Sequence, residues 1–326
     1  MADLVYAKLA GLGAYLAGAG FVYSPLYLLT SLAIAAVFWM VCKPRGSMLG
    51  FLFPRKIHAH PSSRLDLRLA TFNAVLIGLG GLSFAIATPI VAVTLVDASG
   101  SLPAADATAG LWPGAGVALA LVLFLIDDLC RYLLHLVHHK VPVLWPFHEV
   151  HHSAEVLSPL TFFRAHPVYF FVQTALISAC SGVAQAAVAI LAFGWIDPWV
   201  FYAATLPSLL YMLCGVHLRH SHVPLRYGRV AEWLLISPYL HQIHHSIDPA
   251  HRDRNFGEVL SIWDRLFGTL HLAHHDQPLA FGLTDDHGNR VQPYPGMTAA
   301  LFAPFAKAAT SMTATLSWRK TRAEHG

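Results

Sequence analysis

Three short histidine motifs give this sequence its most distinctive chemistry. One HxxxH motif is followed by two copies of HxxHHS. Because residues at i, i+3 and i+4 share a side of an α-helix, each motif is expected to present its imidazoles together on one face. Imidazole is a ligand that suits iron, zinc and copper. The eight histidines of these motifs are His135, His139, His148, His151, His152, His241, His244 and His245.

This number of imidazoles predicts two metal ions, because one ion rarely takes more than about six protein ligands. A middle motif, His220-Ser-His222, adds candidates. His220 is the preferred ligand there, His222 is predicted to bind or support a metal, and His217 is the weakest of the three. Acidic residues are scarce nearby, unlike in the carboxylate-rich di-iron bundles.

A few acidic residues near the motifs are candidates for orienting the imidazole N–H groups. Asp128 and Glu149 are the two assigned to the site, and Glu155 and Asp264 have the same potential role. Glu149 also completes an HExxH pattern with His148, which is typical of zinc proteases. A zinc protease would not use the second HxxHH, which lacks a glutamate.

The composition excludes several classes of protein. Of 326 residues, 56% are hydrophobic and 12% are charged, against about 25% charged in an ordinary soluble domain. Mean hydropathy is +0.52. The formal net charge of +3 is too weak for a nucleic-acid-binding surface. A soluble enzyme and a disordered chain are equally disfavoured, so the chain is predicted to be an integral membrane protein that binds metal.

Five stretches have the roughly 20 apolar residues that a membrane-spanning helix needs. They are Phe21–Val41, Leu69–Val96, Ala115–Leu134, Val168–Phe193 and Ile196–Val216. The last two would form a hairpin. If that hairpin only re-enters the membrane, four spans remain instead of five.

Loop charges predict the orientation. The loop from Cys42 to Arg68 holds six Lys and Arg and one acid, whereas residues 97–113 hold two acids and no Lys or Arg. By the positive-inside rule the first loop is cytoplasmic and the N-terminus lies outside. Both histidine-rich stretches then fall on the cytoplasmic face. The predicted fold is an all-α integral membrane bundle of four to five spans with a cytoplasmic-side, histidine-rich di-metal site.

The order of the motifs resembles the fatty acid hydroxylase/sterol desaturase superfamily. The resemblance runs from about Asp127 to Leu270. It includes Asp128 and Tyr132 before the first motif. It also includes the segments Arg164-Ala-His166-Pro167, Asn255-Phe-Gly257 and Trp263-Asp264-Arg-Leu-Phe267-Gly268-Thr269. Where many members have His-x-Asn, this chain has His220-Ser-His222. Three regions are predicted: N-terminal membrane helices over 1–113, a hydroxylase-like catalytic domain over 114–275, and a cytoplasmic tail over 276–326.

The resemblance implies a non-haem di-iron monooxygenase with O2 as co-substrate. Such an enzyme hydroxylates or desaturates a lipid, sterol or carotenoid-like substrate. The sequence contains no GxGxxG segment of a nicotinamide or flavin domain. Electrons are therefore expected from a separate donor, a ferredoxin or a cytochrome b5 with its reductase. A bacterial inner membrane is the expected location. A metal-dependent membrane hydrolase, which would need neither O2 nor reductant, stays open as the alternative.

A basic patch is predicted to dock an acidic electron donor. Binding of the same side chains to anionic lipid is the other interpretation. The patch consists of Arg219, Arg226, Arg229, Arg252 and Arg254.

Overall fold

The computed structural model describes residues 25–78, 87–100, 114–191, 198–272 and 278–324. These ranges are mostly helical. Their α-helices are α1 (Pro25–Cys42), α2 (Met48–Leu52), α3 (Arg55–His58), α4 (Pro61–Gly78), α5 (Ala87–Ala98), α6 (Ala115–Lys140), α7 (Trp145–His152), α8 (Pro167–Leu191), α9 (Pro198–Leu213), α10 (Pro238–His244), α11 (Ile262–Leu266) and α12 (Met297–Glu324).

Short 3₁₀ helices and one small hairpin join these α-helices. The 3₁₀ helices are Pro159–Phe163, Val216–His220, Ala231–Trp233 and Pro249–His251. Strands β1 (Leu283–Thr284) and β2 (Arg290–Val291) pair antiparallel, with Leu283 opposite Val291. The Asp285 carboxylate accepts backbone N–H groups of His287 and Asn289 and so shapes the turn between the strands.

In the part of the chain that the structure describes, two helices are long and apolar enough to cross a bilayer. They are α1 and α8, and only 17% and 33% of their most apolar windows are buried. Side chains such as Leu29 and Val41 on α1 are largely exposed. Such a surface suits lipid better than water, because apolar patches of this extent are rare on soluble monomers. These helices coincide with the first and fourth predicted spans, except for residues 21–24 and 192–193, which lie outside the described residues.

The other predicted spans map onto helices of different lengths. The second falls on α4 and α5, and residues 79–86 between them lie outside the described residues. The third lies within α6, which continues beyond Leu134 through both histidines of the HxxxH motif. The fifth coincides with α9 after residue 197. Helix α8 packs against α5 and α6, and α6 also packs against α9.

The short histidine-bearing helices lie at the ends of these long helices. Helix α7 follows α6 after the short Val141–Leu144 connection and has a proline in its first turn, where the missing N–H costs nothing. Helix α10 is capped by the preceding residue, Ser237, whose hydroxyl accepts the N–H of Leu240 at 3.2 Å. Apolar side chains of α10 pack in a buried cluster that includes Ile236 and Ile243. The two helices are therefore fixed by capping and packing close to their histidines.

A buried ion pair ties α4 to α7. Arg164 and Asp66 are both 0% exposed, and Arg164 Nη1 lies 3.0 Å from Asp66 Oδ1. The same guanidinium donates to the carbonyl of Val150 at 2.9 Å and to the hydroxyl of Ser153 at 2.8 Å. Because these two residues flank the last histidines of α7, Arg164 fixes the end of that helix.

Candidate metal centre

Nine histidines converge in two adjacent clusters. Within each cluster the candidate ligand nitrogens all lie within 4.8 Å of one another. Every member except His139 is buried. The five-histidine cluster consists of His135, His139, His148, His152 and His244. The four-histidine cluster consists of His151, His220, His241 and His245. The ring centroids of His152 and His245, one from each cluster, are 4.4 Å apart.

Each HxxHHS copy divides its histidines between the clusters. The first copy sends His148 and His152 to the five-histidine cluster and His151 to the four-histidine cluster. The second copy, at the end of α10, has the opposite assignment. At about 100° per residue, positions i and i+4 are separated by about 40°, whereas i+3 lies about 60° to the other side of i. The expectation that one motif presents all its imidazoles to one place was therefore wrong.

The distances between imidazole nitrogens in the four-histidine cluster indicate a cation-binding site. His220 Nε2 lies 3.0 Å from His241 Nε2, 3.0 Å from His245 Nε2 and 3.2 Å from His151 Nε2. A neutral imidazole nitrogen carries either one hydrogen or one lone pair. Three such contacts at one nitrogen therefore cannot all be hydrogen bonds. A metal ion that accepts the four lone pairs accounts for this arrangement.

The contacts in the five-histidine cluster also indicate a site for a metal ion. His148 Nε2 lies 3.1 Å from His135 Nε2 and 3.2 Å from His152 Nε2. The Nε2 atoms of His139 and His244 are buried and have no hydrogen-bond partner among the described residues. Buried polar atoms are almost always satisfied. Both clusters can therefore bind a metal ion through nitrogen.

Burial favours the neutral, metal-binding form of these imidazoles. Desolvation is the largest cause in every case, and nearby histidines and arginines lower several of the pKa values further. Burial lowers the pKa of His151 to about 3 and also lowers that of His135. The pKa values lowered well below 6.5 are those of His139, His148, His152, His220, His241, His244 and His245.

Backbone carbonyls orient two of the imidazoles. His135 Nδ1 lies 2.9 Å from the carbonyl oxygen of Phe256, and His244 Nδ1 lies 2.8 Å from that of Arg254. A carbonyl oxygen can only accept, so each Nδ1 must carry the proton. The Nε2 lone pair of each ring then faces its cluster. This hydrogen bond fixes both the tautomer and the ring angle of a metal ligand.

Asp264 holds the loop that supplies these carbonyls. Its carboxylate accepts the N–H groups of Phe256 and Gly257, both at 2.8 Å, and the hydroxyl of Thr269 at 2.6 Å. A Cβ at Gly257 would lie 2.6 Å from the carbonyl oxygen of Leu260, so glycine is required there. Burial raises the pKa of Asp264 to about 6, although these hydrogen bonds oppose the shift.

Asp128 braces the next part of the same loop. Its carboxylate accepts the N–H groups of Val259 and Leu260 at 3.1 Å and the indole N–H of Trp263 at 2.9 Å. The prediction that Asp128 and Asp264 bind imidazole N–H groups is thus replaced by an indirect arrangement. The acids fix a loop, and the carbonyls of that loop orient the histidines.

Glu149 is directed away from the imidazoles. Its carboxylate accepts the hydroxyl of Tyr294 at 2.8 Å and the ammonium of Lys307 at 2.7 Å, which joins α7 to α12. The predicted role of Glu149 in orienting an imidazole is therefore not what its contacts show. The zinc-protease interpretation fails for the same reason, because its general base would have to face the metal. An acid that does lie beside a clustered histidine is Asp253, whose Oδ1 is 3.7 Å from His139 Nδ1.

Of the middle motif, His220 alone joins a cluster. His222 Nε2 lies 2.7 Å from the carbonyl of Phe51 and must donate its proton there. His217 is buried beside Phe162 and outside both clusters. His138 also lies outside them, with its Nδ1 2.7 Å from the carbonyl of Leu134.

One arginine of the predicted docking patch, Arg219, is buried and cannot contact a partner protein. Arg219 is 2% exposed, and its guanidinium binds the Glu258 carboxylate at 2.8 Å and the Tyr211 hydroxyl at 2.8 Å. Burial beside the clustered His220 gives this arginine an internal role. Arg229 and Arg252 remain exposed. Glu258 is a site residue that sequence analysis missed, because a lone acid without a motif carries no signal.

The fold and the site together define a mostly helical protein with apolar helices and two adjoining imidazole clusters suited to transition metals. Residues 120–269, which contain all nine clustered histidines, match the family described as fatty acid hydroxylase. This match supports the resemblance that the order of the histidine motifs predicted.

Individual relatives carry names of lipid-modifying enzymes. The chain is 31% identical over 165 residues to an alkylglycerol monooxygenase from Danio rerio. The aligned segment covers 51% of this chain and 33% of that relative. It is 30% identical over 202 residues to the ornithine lipid hydroxylase OlsE from Rhizobium tropici, which covers 60% of this chain and 52% of that relative. The chain thus spans a third to about half the length of the curated relatives it matches. No solved structure gives a significant match.

Proposed function

We propose that this chain is an O2-dependent di-iron monooxygenase that hydroxylates a membrane lipid. The observation that supports it most directly is the pair of imidazole clusters with converging Nε2 atoms, each suited to one ion. The relatives named as alkylglycerol monooxygenase and ornithine lipid hydroxylase support a polar lipid as substrate. Residues 114–275 are proposed as the catalytic region.

The proposed ligands are the nine clustered histidines. With iron bound, the site supplies activation of O2 and oxidation of an unactivated C–H bond. The chain itself orients the ligands through the carbonyls of Phe256 and Arg254. Aromatic rings shield the imidazoles from water. The ring centroids of Trp145 and His139 are 5.0 Å apart, and Tyr169 is stacked on His148 with ring centroids 4.7 Å apart. Desaturation would use the same ligands.

The membrane placement is proposed from the loop charges. Five spans with an external N-terminus put both clusters on the cytoplasmic side, at a bacterial inner membrane. There a ferredoxin, or cytochrome b5 with its reductase, can deliver electrons. The exposed side chains of Arg229 and Arg252, with the half-buried Arg226 and Arg254, are the remaining candidates for docking an acidic donor.

Metal content and the response to O2 test this function. The detergent-purified full chain is expected to hold about two irons, and O2 should abolish the ferrous spectrum obtained by anaerobic reduction. The His135→Ala variant should lose iron and oxygenase activity, whereas His287→Ala, in the exposed hairpin turn, should keep both.

The same measurements distinguish the alternative function, a metal-dependent membrane hydrolase, from the proposed oxygenase. One zinc per chain, no response to O2 and hydrolytic release of a lipid product would favour the membrane hydrolase. Two zinc ions would call for iron reconstitution before the O2 measurement. Full oxygenase activity in the His135→Ala variant would contradict the ligand assignment.

A further inference from the structure

A small cavity lies against both histidine clusters. Its volume is about 70 Å³, and imidazole rings from both clusters line it, among them His135 and His220. Phe162 and Phe170 also line it and provide an apolar surface. A C–H bond that is to be oxidised must come within a few ångströms of the reacting centre. This cavity is therefore the place where the reacting carbon of a substrate fits.

Among the described residues, Glu258 is the only carboxylate that lines this cavity. Its Oε2 lies 2.8 Å from Nη1 of Arg219, and the other guanidinium nitrogen donates to the Glu258 backbone carbonyl. Arg219 is held in turn by the hydroxyl of Tyr211 at 2.8 Å. The carboxylate is thus pinned in one place rather than free to rotate into solvent.

The second oxygen of Glu258 remains available. No hydrogen bond to Oε1 occurs among the described residues, and 26% of the side chain is exposed. Two other polar lining residues, Gln173 and Tyr169, share a side-chain hydrogen bond. A carboxylate oxygen in a largely apolar cavity favours a ligand that donates a hydrogen bond, because an unsatisfied charged acceptor is costly.

We propose that Glu258 accepts a hydrogen bond from a hydroxyl or amino group of the substrate, close to the carbon that is oxidised. The chain then selects lipids that carry a donor beside the reacting carbon over lipids that carry only hydrocarbon or ether groups there. This inference rests on the proposed function, because it assigns the cavity to the substrate of that reaction.

The expected discrimination follows from the strength of such a bond. A hydrogen bond to a charged group contributes enough for about a 10- to 100-fold difference in affinity. A site built around a polar group rejects a ligand that leaves the group unpaired. If Glu258 served only to hold Arg219 in place, its replacement would weaken the binding of donor-bearing and donor-free lipids equally. The ratio of the two affinities is therefore the diagnostic quantity.

Lipid binding under argon measures this ratio without requiring turnover. The iron-loaded full chain in detergent is titrated with 1-O-hexadecylglycerol and with the same ether methylated on both hydroxyls. A second pair is hexadecylamine and hexadecyltrimethylammonium, which share a positive charge but differ in donors. We expect the donor-bearing member of at least one pair to bind about 10- to 100-fold more tightly. Admission of O2 then tests oxidation separately.

Variants connect that preference to Glu258. Glu258→Gln should lower the affinity ratio about tenfold, with iron content and the lipid-free ferrous spectrum unchanged. Glu258→Asp, which keeps the charge, should retain part of the preference. Asp286→Asn makes the same acid-to-amide change at an exposed position of the hairpin and should behave as the wild type.

Three results would overturn the inference. They are equal affinities within both pairs for the wild type, an unchanged ratio in Glu258→Gln, and no binding of any of the four lipids. Donor-dependent binding that is not followed by oxidation after O2 is admitted would leave the inference standing and would contradict the proposed oxygenase function.

Discussion

At the residue scale, the choice of nitrogen distinguishes His222 from two histidines that join the clusters. His135 and His244 give their Nδ1 proton to a backbone carbonyl and turn Nε2 towards the clusters. His222 gives its Nε2 proton to Phe51 and so has no Nε2 lone pair to offer. A histidine's hydrogen-bond partner therefore decides its metal-binding capacity as much as its position does.

Replacement of the middle-motif histidines tests this distinction. His220→Ala should remove a ligand from the four-histidine cluster, so that metal content falls towards one ion per chain and activity falls by at least about 100-fold. His222→Ala should keep both ions. Elemental analysis of the purified variants measures the difference. Loss of one ion in His222→Ala, with two ions retained in His220→Ala, would reverse the assignment.

The indirect role of Asp264 gives a second prediction. Asp264→Asn cannot accept both loop N–H groups, because its amide nitrogen is a donor, so the carbonyl of Phe256 should move away from His135. We expect metal affinity to fall about 10- to 100-fold, together with a changed ferrous spectrum. Competition with a chelator measures the affinity, and Asp286→Asn is the matched control. Wild-type affinity with an unchanged spectrum would show that the loop holds without the carboxylate.

At the element scale, short helices with fixed ends carry most of the ligands. Helices α7 and α10 have eight and seven residues, too few to be stable alone in water. Proline in the first turn, the Ser237 cap and the Arg164 contacts at the end of α7 fix their limits. The rigidity of these ligands thus comes from tertiary contacts rather than from helix propensity.

Loss of the Asp66–Arg164 pair should therefore disturb the metal centre from a distance. Asp66→Ala leaves a buried guanidinium uncompensated, which costs about 3–5 kcal/mol. We expect a lower melting temperature and weaker metal retention, measured by scanning fluorimetry and elemental analysis. Asp97→Ala, on an exposed part of α5, is the control. Equal melting temperatures in the two variants would contradict the role given to this ion pair.

At the scale of the whole molecule, nine neutral imidazoles make the stability of the metal-free chain depend on pH. Burial lowers their folded-state pKa values below the ordinary 6.5, to about 3 for His151. Below pH 6.5 the unfolded chain consequently binds more protons than the folded chain, so acid favours unfolding. The stabilisation is fully present above pH 6.5 and is lost as pH falls towards the folded-state values.

Unfolding midpoints of the metal-free protein between pH 8 and pH 4 measure this effect. We expect a plateau above about pH 6.5 and a steep fall below it. Bound metal should extend the plateau to lower pH, because protons must displace it from the ligands. A midpoint that is constant from pH 7 to pH 5 without metal would contradict the lowered pKa values.

Much of the metal centre could be predicted from the sequence, because ligand type and spacing are local properties. The HxxxH and HxxHHS motifs named eight of the nine clustered histidines, and His220 was the preferred ninth. Apolar runs of sufficient length predicted α1 and α8 as candidate spans. These predictions needed only helix periodicity and the preference of apolar side chains for lipid.

Tertiary structure decided what depends on contacts between distant segments. Helix geometry divides each HxxHHS copy, but the elements packed around it determine which cluster each histidine joins. The roles of Asp128 and Glu149 changed because their partners lie more than 100 residues away. Arg219 was predicted to be a surface charge, and the Glu258 carboxylate placed it inside. The type and spacing of side chains can be read from the sequence. The hydrogen-bond or ion-pair partner of a side chain is determined only by tertiary packing.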